Sequence, residues 1–469
     1  MFRKEQLGSL FSDIRFWIFL FFLLRLIGIT NAPLEIGHNW RQSLTNMIAR
    51  NFYEDGANLF YPRVDMAGER TGILGSEFPF YNYLIYLTSL IFDYAHWYGR
   101  LINLFVSSIG TYFFYLLSLK LINKRVAFNA TIILLSSIWF AFSRKIMPDT
   151  FSVSLVIIGL YCCYMYLQQG MISRLVLYFV FVTLGMLCKI PALSLLSPLV
   201  LIFFIKKIDP LRKTILCVAT TLSLVIVFSW YFYWVPYLVE TFRFQLYFPK
   251  ELLEGLREIY PFISGFFEKF YFSSLCSFIA FACFMAGIVV SIRSGKTFVV
   301  LGIATVAVVF GLFILKTGSI FPTHNYYIIP FTPVMALIAG WGIATLKLKT
   351  QYLLLFAIAA EGIANQQHDF FIKGSERYKM DLEKVTSGIV GKNELIVING
   401  GPSPQLIYFS HCKGWTVDNN TLKNEQKMQH FKDRGARYLV VDKRSYSGSV
   451  AIDSLLYSDD DFAVYKLQR

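Results

Sequence analysis

Residues 185–207 read GMLCKIPALSLLSPLVLIFFIKK. One apolar run ends at Lys189-Ile190-Pro191, a second follows, and a lysine pair closes it. A membrane-spanning helix needs about 20 apolar residues, with a range of roughly 17–25. The runs at 175–188 and 191–205 are therefore short spans broken at Lys-Ile-Pro. Outward from this stretch, similar runs recur at 16–32, 99–119, 126–143, 150–167, 214–235, 271–292, 297–315, 326–346 and 351–365. The pattern predicts a polytopic α-helical membrane protein with about 11 transmembrane helices.

Composition agrees. The 469 residues are 55% hydrophobic, 17% aromatic and 16% charged. Soluble domains carry about 25% charged residues. Mean hydropathy is +0.51. These values exclude a wholly soluble enzyme, a disordered chain, a collagen and a small disulfide scaffold. Six of the seven cysteines lie in or beside apolar runs, and Cys412 stands apart in the tail. Their spacing matches neither a disulfide framework nor a metal site. The first apolar run lacks a small-residue cleavage site, so it reads as a retained span and not a signal peptide.

The net charge of +14 would suggest nucleic acid in a soluble protein. Here its distribution answers to the membrane. Residues 366–469 hold 15 basic and 13 acidic residues; residues 1–365 hold 29 and 17. Alternate short connections are basic: Arg3/Lys4/Arg15, Lys120/Lys124/Arg125, Lys206/Lys207/Arg212/Lys213, Arg293/Lys296 and Lys347/Lys349. The positive-inside bias puts these in the cytoplasm. Residues 33–98, 143–149, 189–191, 236–270, 316–325 and the tail then face outward, provided that FYNYLIYLTSLIFDY (80–94) lies in the interface and does not span. Residues 1–365 form the membrane domain, with interfacial helices in the first outer loop. Residues 366–469, with strand-like ELIVING (394–400), ARYLVVD (436–442) and FAVYKL (462–467) around a polar helix, predict a small C-terminal α/β domain on the outer face.

Ionisable residues beside the outer helix ends carry the functional signal, because each is costly there unless paired or wetted. The first outer loop holds Glu35, His38, Arg41, Gln42, Asp65 and Glu77. Its 43–53 segment is helical, so it forms either one wall of a polar site or an amphipathic helix with a solvated face. Asp149 follows Pro148 at a helix start, where a carboxylate caps and meets the helix dipole. Arg144 puts positive charge on the side that should be poor in it. Lys189 sits at a tight break between apolar runs, and His324 and Tyr327 open a late helix. Arg41, Arg144, Lys189 and His324 thus come from four segments assigned to one face. Convergent cations imply an anionic ligand, and one reached from the bilayer is a lipid phosphate.

At this point the chain resembles the C-type glycosyltransferases, in the branch of the bacterial aminoarabinose transferases and protein O-mannosyltransferases. IARNFYEDG (48–56) resembles that family's first-loop helix, and SEFPFYNYL (76–84) its Glu-Lys-Pro-Pro motif. RKIMPDTF (144–151) resembles its Arg…Asp helix start, GMLCKIPALSLLSP (185–198) its Lys-Gly-Pro motif, and THNYYIIPFTPVMALIAGWG (323–342) a late helix. The tail, with HCKGW (411–415), resembles an appended outer α/β domain. The resemblance implies an enzyme that moves a sugar from a polyprenyl-phosphate donor to a glycan, lipid or protein acceptor on the outer face of a bacterial plasma membrane. Arg144 and Lys189 would hold the donor phosphate, with His324 and Tyr327 near it, and Arg41 joins them as one of the convergent cations. The family's first-loop Asp is missing here, where the chain reads His38-Asn39-Trp40-Arg41-Gln42. Glu77 or His38 is then the expected general base, supported by Glu35, Gln42, Asp65 and Asp149. No ligand spacing demands a metal, although the acids leave room for a divalent ion. Nucleic acid is not an expected partner.

A flippase of lipid-linked sugars would share the helices and the intramembrane charge. Such transporters often show repeated, broken helices in matching halves, which this sequence lacks. An O-antigen polymerase or ligase would be favoured by a long late outer loop with Arg and His. The 236–270 loop is mid-chain and has Arg243 and Arg257 but no His.

Overall fold

The computed structural model describes residues 11–246, 249–446, 448, 450 and 454–468. Arg3 and Lys4 of the first basic connection lie outside the described residues. The chain is mostly helical and divides into two compact units. One contains residues 11–29, 100–233 and 249–370; the other contains 30–99, 234–246 and 371–468.

Each of the eleven apolar runs carries a helix. Among the described residues, four helices are long and apolar enough to cross a membrane: Tyr98–Leu121, Pro148–Gln169, Pro210–Phe242 and Thr297–Thr317. A fifth is reached if Leu252–Ser273 and Phe278–Arg293, bent by 90° at their junction, count as one span. Ile172–Cys188, Ile190–Phe204 and Thr332–Ile343 are apolar but shorter. Phe80–Phe92, in the other unit, is 13 residues long. At 1.5 Å per residue it reaches about 20 Å, less than the hydrocarbon core.

In the first unit the central feature is a helical hairpin. Pro148–Gln169 starts on a proline, whose missing N–H costs nothing there, and ends at Gly170 in the left-handed region (φ 73°). Ile172–Cys188 returns antiparallel to it. The two helices touch closely at Gly185, where an added Cβ would sit 2.9 Å from the Ser152 carbonyl. Ser152 Oγ donates back to the Gly185 carbonyl at 2.7 Å. The hairpin therefore brings Asp149, in the first turn, to the level of Lys189, just past the last. Ile190–Phe204 then runs on as a 3-10 helix with Pro198 inside it. Ser194 and Ser197 bond to the carbonyls three residues back (2.9 and 2.8 Å), which supports this tighter winding. Thr332–Ile343 is buried along its whole length. It has Gly340 against the Ala130 backbone, while Gly287 lies against the Ile338 carbonyl. Small residues at such contacts let backbones approach, the usual device between helices in lipid.

The second unit joins the long first loop to the tail. Its sheet has five strands in the order β2-β1-β3-β5-β4. These are β1 (Leu395–Ile398), β2 (Lys413–Thr416), β3 (Ala436–Asp442), β4 (Leu455–Ser458) and β5 (Phe462–Lys466). β2, β1 and β3 are parallel; β5 and β4 are antiparallel additions. β1 and β3 are almost fully buried, which explains their unbroken apolar runs. Asn39–Asp55 packs its apolar positions Leu44, Met47, Ile48 and Phe52 into one core with Ile396, Ile407 and Val440 of the tail. A bridge between Glu35 and Ile372 ties the two segments further.

His411 clips this unit. Its ring nitrogens lie 2.6 Å from Glu54 and 2.7 Å from Glu383, so three distant segments meet at one imidazole. Those two carboxylates raise its pKa to about 9, and the His411 ring in turn holds Glu383 below its ordinary value. A raised histidine pKa contributes stability that is complete below its ordinary value of about 6.5. That stability is lost as pH rises through about 9. The thermal midpoint of His411→Gln should therefore lie below that of the parent at pH 7. The two should converge by pH 10; a gap unchanged with pH would show that the clip is uncharged.

Candidate active site

The hairpin sets Lys189 Nζ 3.7 Å from Asp149 Oδ1, with both side chains nearly buried. This is an ion-pair separation longer than a hydrogen bond. Asp149 was expected to cap its helix. The residue at the cap position is Met147; Asp149 lies in the first turn, where it meets the helix dipole as expected, and its carboxylate faces the lysine. The same ammonium lies 5.5 and 5.6 Å from the ring centres of Tyr326 and Tyr327, within cation–π range. These tyrosines sit in the 3-10 turn Asn325–Ile328, directly after His324. His324 Nδ1 is 2.9 Å from Thr323 Oγ1 and 3.3 Å from the Ile320 carbonyl. Burial holds the His324 pKa below its ordinary value, and the nearby Lys269 and Lys189 charges add to this. Lys189, Asp149, His324 and Tyr327 thus form one cluster in the first unit.

Lys269 belongs with them and was missed in the sequence. It is 4% exposed, and its Nζ lies 2.6 Å from Asn325 Oδ1 and 2.8 Å from Glu268 Oε2. Its signal was a single Lys inside the aromatic run FFEKFYF (266–272). Arg144 is fully buried but has other neighbours: its Nε donates to the Arg25 carbonyl (3.0 Å) and its guanidinium covers the Phe370 ring at 4.2 Å. Next to it, Lys145 lies 3.5 Å from Asp369.

The other predicted residues lie in the second unit. The first-loop helix starts at Asn39, before the expected 43–53 segment, so Arg41 and Gln42 are inside it. Its Gln42, Thr45, Asn46, Arg50 and Asn51 are buried. This excludes the reading of a solvated polar face. Arg41 Nη2 meets Glu77 Oε1 at 2.6 Å, with the side chains 11% and 19% exposed. His38, at the helix cap, takes a left-handed backbone (φ 55°). Glu35 is fully buried and accepts from Asn31 Nδ2 at 3.0 Å. Asp65 is bound instead to Arg50 (3.0 Å) and Asn51 (2.9 Å). Among the described residues, no three His, Cys, Asp or Glu side chains are grouped to hold a metal ion.

Residues 76–234 match the family described as dolichyl-phosphate-mannose-protein mannosyltransferase. The fold is similar to that of ArnT from Cupriavidus metallidurans, solved bound to undecaprenyl phosphate. The TM-score is 0.65 at 12% identity, covering 96% of this chain and 98% of that one. It is also similar to the Archaeoglobus fulgidus oligosaccharyltransferase, solved with zinc and sulfate (TM-score 0.64, 13% identity, 91% and 67% coverage). A further similar structure is the archaeal oligosaccharyltransferase AglB from Archaeoglobus fulgidus, solved with an inhibitory peptide and a dolichol-phosphate (TM-score 0.60, 13% identity, 91% and 69% coverage). No curated protein sequence matches the chain. The chain therefore has the C-type glycosyltransferase fold, as its motifs suggested.

Proposed function

We propose that this protein is a membrane glycosyltransferase that moves a sugar from a polyprenyl-phosphate donor to a glycan, lipid or protein acceptor on the outer face of a bacterial plasma membrane. The reading rests above all on the cationic cluster around Lys189, built at a helix end within a C-type fold. Its chemistry suits a leaving phosphate. As the bond from the anomeric carbon to the phosphate oxygen breaks, the electron pair stays on phosphate. Lys189 and Lys269 supply positive charge that is already in place; Arg144, outside this cluster, is a further candidate for the phosphate. Neutral His324 and the Tyr327 hydroxyl offer hydrogen bonds without adding charge. The acceptor hydroxyl forms the new bond and gives its proton to a base in the first loop. Glu77 is the preferred base because a carboxylate can take the proton and Arg41, 2.6 Å away, fixes its position; His38 is its alternative. Glu35, Gln42 and Asp149 support these groups; Arg41, expected at the donor phosphate, is ion-paired with Glu77 and would orient it. In this reading the tail is the outer domain.

The test is transfer by the purified protein from undecaprenyl-phosphate sugars, one sugar at a time, to envelope extracts. Incorporation of label supports the reading; no incorporation from any donor, with the lipid bound, would defeat it. Glu77→Gln should lower the rate about 100-fold, and a rate within threefold of the parent would pass the role to His38. Orientation is tested separately. A membrane-impermeant maleimide should label Asp460→Cys, in a Cys412→Ser background, on intact cells. Labelling only after lysis would reverse the topology.

A further inference from the structure

The first unit holds an apolar pocket of about 740 Å³. It is walled by Pro148–Gln169, Ile190–Phe204, Thr297–Thr317 and neighbouring helices. Nothing in the proposed reaction uses it. The pocket has a direction. Leu160, Tyr164 and Gln168 are spaced by four along one helix and so lie in line on one face. They pass from apolar to phenolic to amide toward the 205–213 connection. Among the described residues, the Tyr164 hydroxyl and the Gln168 amide have no hydrogen-bond partner. Opposite, Phe298, Gly302 and Val306 form a second line, with Gly302 leaving Pro198 uncovered.

At the mouth stand Lys207, Asp209 and Arg212. The 205–213 connection carries four basic residues and one acid. Arg212 is engaged: it donates to the Leu167 and Gln168 carbonyls at 3.1 and 3.0 Å, closing the end of Pro148–Gln169. Lys207 is exposed and, among the described residues, makes no ion pair. An apolar body, two unused hydrogen-bonding groups part-way along and an unpaired cation at the rim match one ligand type.

We infer that the pocket binds an anionic phospholipid. Its acyl chain would lie along the apolar walls, its ester oxygens at Tyr164 and Gln168, and its phosphate at Lys207. This is a different phosphate from the one assigned to Lys189. The 15 residues of Ile190–Phe204 separate the two lysines. At 2.0 Å per residue that is about 30 Å, the thickness of the hydrocarbon core. The inference does not depend on the transferase reading.

The test uses the full chain reconstituted with equal amounts of phosphatidylglycerol, phosphatidylcholine of matched acyl chains and undecaprenyl phosphate. Retained lipid is counted by native mass spectrometry. The parent should keep one phosphatidylglycerol in preference to phosphatidylcholine. Lys207→Glu, at an exposed site that leaves the fold intact, should cut that preference about fivefold or more. It should not change retention of undecaprenyl phosphate. Leu199→Trp, which fills the body, should release phosphatidylglycerol. Equal retention of the two phospholipids would overturn the assignment, as would an unchanged preference in Lys207→Glu. So would loss of undecaprenyl phosphate in both variants, which would make the pocket the seat of that lipid.

Discussion

Lys189→Ala should lower the rate of sugar transfer about 100- to 1000-fold, the loss expected when one preorganised charge is removed from a departing anion. The alternative is that Lys189 is structural and serves only to neutralise Asp149, 3.7 Å away. The two roles separate experimentally. A structural lysine makes Lys189→Ala and Asp149→Asn equally unstable, because each leaves a buried charge without its partner. Activity would then follow the folded fraction. A phosphate-binding lysine loses rate per folded molecule, far beyond the loss of folded protein that the unpaired Asp149 causes. It also weakens inhibition by free undecaprenyl phosphate, which presents the leaving group without the sugar. Lys189→Arg keeps the charge but replaces a compact ammonium with a planar fork, so it should recover only part of the rate. A Lys189→Ala protein that transfers sugar within threefold of the parent would remove this cluster from the mechanism.

Why Lys189 and Asp149 could be found in the sequence, and Lys269 could not, follows from local geometry. Two apolar runs joined by a short turn form an antiparallel hairpin. A charge at the start of one and a charge at the end of the other must then share a level. That argument needs only periodicity and length. Lys269 sits in an aromatic run at the margin of an expected loop, and only the fold carries it to Asn325. The pairing of Arg41 with Glu77 spans 36 residues of irregular chain, beyond any local rule. The joining of the first loop to the tail is less legible still. Each segment has its own apolar positions, and nothing in either names the other as partner. β2 and β4 were missed because KGWT and LLYS are four residues long, too short for an alternating pattern to stand out.

Asp65 shows what burial adds to residue type. In the sequence it is one of several acids in a polar loop, expected to support the base. In the structure it is 4% exposed, bound to Arg50 (3% exposed) and Asn51, while Arg50 also donates to the Tyr408 carbonyl at 2.9 Å and lies over the Tyr408 ring. The acid thus neutralises a buried cation that joins the first-loop helix to the tail. Asp65→Asn should destabilise the unit by about 3–5 kcal/mol, the cost of leaving a buried charge unpaired. In detergent that lowers its thermal midpoint by about 10 °C. Replacing both partners by apolar residues, Arg50→Met with Asp65→Leu, should restore most of the loss, because a buried ion pair is worth little against good packing. If Asp65 were instead the base, Asp65→Asn would transfer no sugar per folded molecule, and the double variant would regain stability yet stay equally inactive. The pair of variants therefore decides between the roles: recovery of both stability and transfer in the double variant assigns Asp65 to the fold and leaves proton removal to Glu77 or His38.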